Sequence, residues 1–202
     1  IRDRAEICRT ALLQAMSTTR VWNDAIADEV LRKEDAVDHY EDVLGTYLVK
    51  LSAKHLSVDD NRTVNTLLHT IGDFERVSDH AVNLIKTAEE IRDKSIKFSD
   101  EALGDLSVLE AAVQDIVNRT VDAFQKGDTY AAKKIEPLEQ VVDGLVREVK
   151  SRHIARLQAG ACTIEYGFVL DDLLTNYERI ADHCSNIAVA MIEVAADKFD
   201  TH

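Results

Sequence analysis

The sequence has few of the residues that interrupt helices. It contains one proline and seven glycines in 202 residues, whereas β-sandwiches and barrels need frequent turn residues. Apolar residues instead recur at spacings of three and four along the whole chain, which is the pattern of amphipathic helices. The sequence therefore excludes an all-β fold and predicts an all-α protein.

Long apolar runs and cysteines are also scarce. No uncharged apolar run approaches the roughly 20 residues of a membrane-spanning helix, and nothing resembles a signal peptide. The three cysteines, Cys8, Cys162 and Cys184, are an odd number without metal-ligand spacing. Each lies in apolar helical sequence, so we interpret them as reduced core residues of a cytosolic protein.

Positive charge is in short supply as well. The chain has 24 Lys and Arg against 37 Asp and Glu, a formal net charge of −13. Nucleic acid and an anionic membrane surface would be repelled, so we expect no nucleic-acid partner. Cations are the favoured ligands of such a surface.

The apolar periodicity predicts six helices in two sets of three. Lys126-Gly127-Asp128 marks a break, and Pro137 predicts a kink or a late helix start. The predicted helices cover about residues 2–27, 28–55, 61–94, 99–125 and 129–157, with a last helix from the segment QAGAC to about residue 198. The matching halves predict two repeats, residues 1–97 and 98–202.

A ten-residue polar motif occurs twice. FERVSDHAVN, residues 74–83, returns as YERIADHCSN, residues 177–186, with Glu, Arg, Asp, His and Asn at the same five places. Because both copies lie on the third helix of their half, they indicate an internal duplication. Long helices with short connections pack as antiparallel neighbours, so we predict two tandem three-helix bundles.

Acidic pairs four residues apart occupy matched places in the two repeats. We call Glu34, Asp38, Glu75 and Asp79 the first acidic group, and Glu139, Asp143, Glu178 and Asp182 the second acidic group. Such pairs arise often by chance in an acidic chain, but chance does not explain the shared register. Like charges four apart on a helix destabilise it by a few tenths of a kcal/mol, so a compensating positive charge is expected.

Two sources of that charge remain open. Arg76 and Arg179 follow the glutamates directly and would form salt bridges to a neighbouring helix. Alternatively, two facing helices that each present two carboxylates form an oxygen-rich cage for Mg²⁺, Ca²⁺, Mn²⁺ or iron, and less exclusively for zinc. His80 and His183 lie about 140° around the helix from the glutamates, which favours interhelical hydrogen bonds over metal contact.

The duplicated E-R-[VI]-x-D-H-x-x-N motif, together with the E-x-x-x-D pair on the preceding helix, resembles the PhoU family over essentially the whole chain. That resemblance implies tandem three-helix bundles that bind clusters of iron, zinc or manganese through their acidic motifs. Carried over by position, the metal ligands would be the eight residues of the two acidic groups. The second copy has Gln140 for Asp35 and Asn176 for Asp73, so we expect weaker metal binding there.

The resemblance also implies a role in phosphate homeostasis without enzymatic activity. The helical start without methionine favours the cytoplasmic tail of a sodium–phosphate cotransporter, tethered to the inner face of the membrane, over a free-standing regulator of phosphate uptake and signalling. The expected partners are a phosphate transporter membrane domain and inorganic phosphate bound through metal. The apolar first helix with Trp22 suggests a surface for a homodimer.

Two other functions compete with this one. A carboxylate-bridged metal hydrolase or oxidase would need an open metal position and a base, and no Glu-x-x-His pair is present. A structural helical adaptor would use the acidic pairs for salt bridges alone.

Overall fold

Helices make up nearly all of the computed structural model, which describes residues 2–54 and 56–199. The helices are α1 (Arg2–Thr18), α2 (Asp24–Ser52), α3 (Val58–Asp93), α4 (Asp100–Lys126), α5 (Thr129–Ala132), α6 (Ile135–Gln158) and α7 (Ile164–Phe199). The all-α prediction is confirmed. Ile1, His55 and residues 200–202, on which some predicted helix and repeat ends fall, lie outside the described residues.

The two repeats pack against each other through their third long helices. Helices α1, α2 and α3 form one bundle, α4, α6 and α7 form the other, and α3 runs against α7. One hydrophobic core passes through both bundles, from Leu12 and Phe74 to Val113 and Tyr177. Among the described helices, none is both long and apolar enough to cross a membrane.

The first predicted helix is too long. Helix α1 ends at Thr18, where the hydroxyls of Thr18 and Thr19 donate to the carbonyls one turn earlier at 2.6 and 2.8 Å and compete with the helical pattern. The next helix starts at an N-cap, because Asn23 Oδ1 accepts from the Ile26 amide at 3.1 Å. No glycine or proline signals this break.

The residues that suggested a dimer surface on the first helix pack within the chain instead. Trp22 lies in the loop after α1, half-buried against the core, with the Arg92 guanidinium 4.4 Å from its ring centroid. The apolar face of α1, including Ala11 and Met16, is buried within the chain. Dimerisation itself stays an untested prediction.

The break after α4 follows its predicted chemistry. Gly127 adopts φ +66° at the end of α4, a conformation that glycine takes without strain. Asp128 caps the one-turn α5 by accepting from the Ala131 amide at 2.9 Å. Helix α6 then begins at Ile135, with Pro137 in its first turn, so Pro137 marks a late start rather than a kink.

Two smaller expectations are wrong. The third long helix begins at Val58 rather than near residue 61, since Ser57 Oγ accepts from the Asp60 amide at 3.1 Å and caps α3. Cys162 lies in the loop before α7 and is half-buried, whereas Cys8 and Cys184 are buried as expected.

Candidate metal centre

Three carboxylates of the second acidic group converge between α6 and α7. Glu139 and Asp143 lie one turn apart on α6, which places both on one face of the helix, and α7 presents Asp182 towards them. One oxygen from each of the three lies within 4.8 Å of the other two. We call Glu139, Asp143 and Asp182 the second-repeat triad; Glu178, one turn earlier on α7, is half-buried but does not join this cluster.

The positive charge beside the triad is an exposed one: Arg179 Nη1 lies 3.5 Å from Asp182 Oδ2 within α7, and the arginine side chain is 63% exposed. Asp143 Oδ1 is buried and has no hydrogen-bond partner, and a buried unpaired carboxylate oxygen is costly. Burial raises the pKa of Glu139, and the neighbouring charges of Asp143 and Asp182 raise it further. A cation bound between these carboxylates would stabilise the site.

The donor set fits a hard metal ion. All three groups are carboxylates, which suit Mn²⁺, Mg²⁺, Ca²⁺ or iron better than a thiolate-preferring ion. A cation held between Glu139, Asp143 and Asp182 would give Asp143 Oδ1 its missing partner.

The first acidic group is looser. Across α2 and α3, Glu34 lies close enough to Asp79 for their charges to interact, and burial together with Asp35, Asp79 and Asp38 raises the pKa of Glu34. Asp38 itself is exposed. The first acidic group does not form a cluster as tight as the second-repeat triad within residues 2–54 and 56–199.

A buried arginine lies beside the first acidic group. Arg4 on α1 is 2% exposed, and its Nη2 donates to the Val37 carbonyl of α2. Its Nε and Nη1 have no hydrogen-bond partner, although Asp38, Glu41 and Glu75 are near enough to interact electrostatically. The first repeat thus has a buried positive side chain beside its acidic group, which the sequence motifs did not reveal.

Arg76 and Arg179 do not build the interhelical network that salt bridges alone would require. Arg76 Nη1 lies 3.1 Å from Asp79 Oδ2, and Arg179 Nη1 lies 3.5 Å from Asp182 Oδ2. Both pairs are within one helix, and both arginines are more than 60% exposed. Exposed pairs of this kind contribute about 0–1 kcal/mol, which does not offset clustered half-buried carboxylates.

The repeated histidines join the two repeats. His80 Nδ1 lies 2.8 Å from Asn176 Oδ1, and His183 Nδ1 lies 2.9 Å from Asp73 Oδ1. The two imidazole rings are 5.6 Å apart between centroids. These contacts agree with the expectation of interhelical hydrogen bonding. Both rings lie at the contact between α3 and α7 and bond to residues outside the two acidic groups.

One reason for expecting a weaker second metal site is wrong. Asp73 and its counterpart Asn176 both lie at the α3–α7 contact, where each is bonded to a histidine of the other repeat. Asn186 also donates to Asp73 Oδ1 at 3.3 Å. The exchange of Asp for Asn therefore changes the contact between repeats, not the charge of the second acidic group.

The pH dependence of stability should report on Glu75. Burial raises the pKa of Glu75 from 4.5 to about 7, and the adjacent Asp79 adds to the shift while Arg76 opposes it. The folded protein then holds this proton where the unfolded chain has lost it. The resulting stabilisation is complete below pH 4.5 and is lost as pH rises through 7.

We expect Glu75→Gln to remove the part of the pH dependence of stability that this proton causes. Urea unfolding with EDTA present, at pH 5 and pH 8, should show a smaller loss of unfolding free energy in the variant than in wild type. Asp115→Asn, on α4 at a partly exposed position that pairs with Arg119 and not with either acidic group, should show the same pH dependence as wild type. Equal slopes for wild type and Glu75→Gln would refute the assignment.

Comparison with known proteins places the chain in one family. The model of the PhoU domain matches residues 1–88 and 106–191. Among curated relatives, the chain is 22% identical over 189 residues to the phosphate-specific transport system accessory protein PhoU homolog 1 of Thermotoga maritima, covering 93% of this chain and 81% of that protein. It is 28% identical over 184 residues to the phosphate-specific transport system accessory protein PhoU of Edwardsiella tarda, covering 87% and 72%.

Solved structures show the same fold. The crystal structure of PhoU from Pseudomonas aeruginosa superimposes with a TM-score of 0.86 at 19% identity, covering 96% of this chain and 92% of that one. The phosphate transport system regulatory protein PhoU from Streptococcus pneumoniae gives 0.82 at 16% identity, covering 96% and 90%. The molecule is thus a duplicated helical bundle with paired carboxylates on each half. The chain belongs to the PhoU domain family.

Proposed function

We propose that the chain is a metal-binding regulatory module that controls phosphate transport, and that it acts without catalysing a reaction. The observation that carries the metal part is the second-repeat triad with the orphaned oxygen of Asp143. The phosphate part is supported by relatives whose names assign them to phosphate-specific transport systems as accessory proteins. These relatives favour the free-standing type of regulator, and none of those cited is a cotransporter.

The eight acidic residues have unequal roles in this proposal. Glu139, Asp143 and Asp182 would hold the more strongly bound ion, with Glu178 completing the shell. Glu34, Asp38, Glu75 and Asp79 would hold the second, at lower affinity because Arg4 already supplies positive charge beside them. Iron, zinc and manganese all remain candidates, and the all-carboxylate donors favour iron or manganese.

Bound metal would supply positive charge to a strongly negative surface, which would let that surface accept phosphate or a partner's acidic groups. The residues of the chain set where that charge is placed. Because the second-repeat triad draws on both α6 and α7, filling it would tie these two helices together. Helix α7 also packs on α3, so occupancy at the triad is connected to the contact between repeats.

Phosphate uptake in cells tests this function. When the gene is deleted in the source organism, phosphate uptake at high external phosphate should rise. Expression of the wild-type chain should lower uptake to its original rate. The variant Glu139→Gln/Asp143→Asn/Asp182→Asn should fail to restore it, whereas Asp115→Asn should succeed. Full restoration by the triad variant would show that metal at this site is not needed for regulation.

A further inference from the structure

A cavity of about 330 Å³ lies away from both acidic groups, between the start of α4, the end of α6 and the start of α7. We call it the α4–α7 pocket. None of the twelve residues that line it is Asp or Glu, in a chain that has 37 of them. Its volume is at the lower end of the range for small-molecule sites, so it would take a small ligand.

Two cationic side chains line the α4–α7 pocket. Arg156 is 9% exposed; its Nη1 lies 2.9 Å from Asp105 Oδ2, while its Nη2 has no hydrogen-bond partner. Glu101 Oε2 lies 4.0 Å from the same Nη1. Arg156 borders both this pocket and a neighbouring cavity, and the two acids line only the neighbouring one. Lys97 is exposed and also lines the pocket. A buried guanidinium donor without a partner raises the free energy of the folded state, and a bound anion would remove that cost.

Two helix N-termini add partial positive charge at the same place. Ser99 caps the 27-residue α4, and Thr163 precedes the 36-residue α7, with its Oγ1 accepting from the Tyr166 amide at 3.4 Å. Both Ser99 and Thr163 line the pocket. Helix N-termini favour bound anions. The acids in the first turns of these helices lie outside the lining: Asp100, Glu101 and Glu165.

The remaining wall is aromatic and contains a thiol. Phe98 and Tyr166 meet edge to face with their ring centroids 6.4 Å apart. Cys162 Sγ lies 3.6 Å from His153 Nδ1. The far side of that imidazole is closed by Gly167, where a Cβ would come within 2.6 Å of Nε2. The wall thus offers an apolar face beside the cationic end.

We propose that the α4–α7 pocket binds a phosphate group, carried either by inorganic phosphate or by a small phosphate monoester, independently of metal. The guanidinium of Arg156, the ammonium of Lys97 and the two helix N-termini match the charge of the phosphate. The hydroxyls of Ser99 and Thr163 can donate to its oxygens. Phe98 and Tyr166 give room for the organic part of a monoester.

Alkylation of Cys162 tests this site directly. Cys8 and Cys184 are buried, so the neutral reagent iodoacetamide should label Cys162 selectively in the full chain with EDTA present. Inorganic phosphate or phenyl phosphate should slow this labelling severalfold relative to chloride at equal ionic strength. The ligand effective at lower concentration identifies whether the free ion or the monoester is preferred.

Variants keep the test independent of folding. Arg156→Gln should abolish protection, and circular dichroism should show that its helices persist. Lys97→Gln, at an exposed position, should raise the phosphate concentration needed by about two- to fivefold. If neither phosphate slows labelling beyond chloride, or if benzoate protects as well as phenyl phosphate, the assignment to phosphate is overturned.

Discussion

Asp143→Asn is expected to lower the affinity of the second repeat for Mn²⁺ on the order of 100-fold or more, since loss even of outer-sphere partners costs 10–100-fold. Asp143 supplies the buried oxygen that has no other partner. The substitution preserves the shape of the side chain while removing its charge. Of the triad only Glu139 and Asp182 would then remain, with Glu178 outside the cluster, and these provide fewer charged oxygens than a tightly held hard cation needs.

The same change should not weaken the metal-free fold. Removing one of three clustered negative charges relieves repulsion at Glu139, whose raised pKa reports that repulsion. Calorimetric titration of the metal-free protein with Mn²⁺, alongside thermal unfolding, separates the two effects. Asp115→Asn should titrate as wild type does. Unchanged Mn²⁺ affinity in a folded Asp143→Asn variant would contradict the assigned site.

Arg4→Met is expected to raise the metal affinity of the first acidic group by about two orders of magnitude. A unit charge and a divalent ion about 12 Å apart at an effective dielectric constant of about 20 interact by roughly 3 kcal/mol, and each 1.4 kcal/mol corresponds to a factor of about ten. Arg4 is buried beside Asp38, Glu41 and Glu75, so its charge repels an incoming cation with little screening by solvent.

The substitution should lower the stability of the metal-free fold, because it leaves the charges of Asp38, Glu41 and Glu75 without that of Arg4. Methionine fills a similar volume, so circular dichroism should still show a helical protein. The Mn²⁺ titration is made in the Glu139→Gln/Asp143→Asn/Asp182→Asn background, so that only the first acidic group is observed. Arg32→Met removes the same charge from an exposed position on α2 and should have little effect. Equal affinities with and without Arg4 would show that it does not tune this site.

The repeat architecture was predictable because both of its signals are local. The spacing of three and four defines helices, and the Glu-x-x-x-Asp pairs lie on one helix face whatever that helix packs against. Gly127, Asp128 and Pro137 carry backbone preferences that act within a few residues. These elements therefore follow from the sequence without knowledge of the neighbours.

What the sequence left open depends on packing between helices. The contact of His183 with Asp73 joins residues 110 positions apart, and no single-helix pattern defines such a pair. Arg4 was within reach, because it precedes Cys8 and Leu12 at intervals of four and so shares their buried face. Glu41 joins the surroundings of Glu75 from another helix, which the motif spacing does not indicate.

The metal content of protein purified without a metal-affinity tag, measured by mass spectrometry, tests the central claim most directly. We predict that the wild-type chain carries iron, manganese or zinc, and that Glu139→Gln/Asp143→Asn/Asp182→Asn loses the larger share of it. Glu75→Gln/Asp79→Asn should lose the smaller share. A wild-type protein that is metal-free as purified, and still metal-free after reconstitution with each ion, would contradict metal binding by the acidic groups.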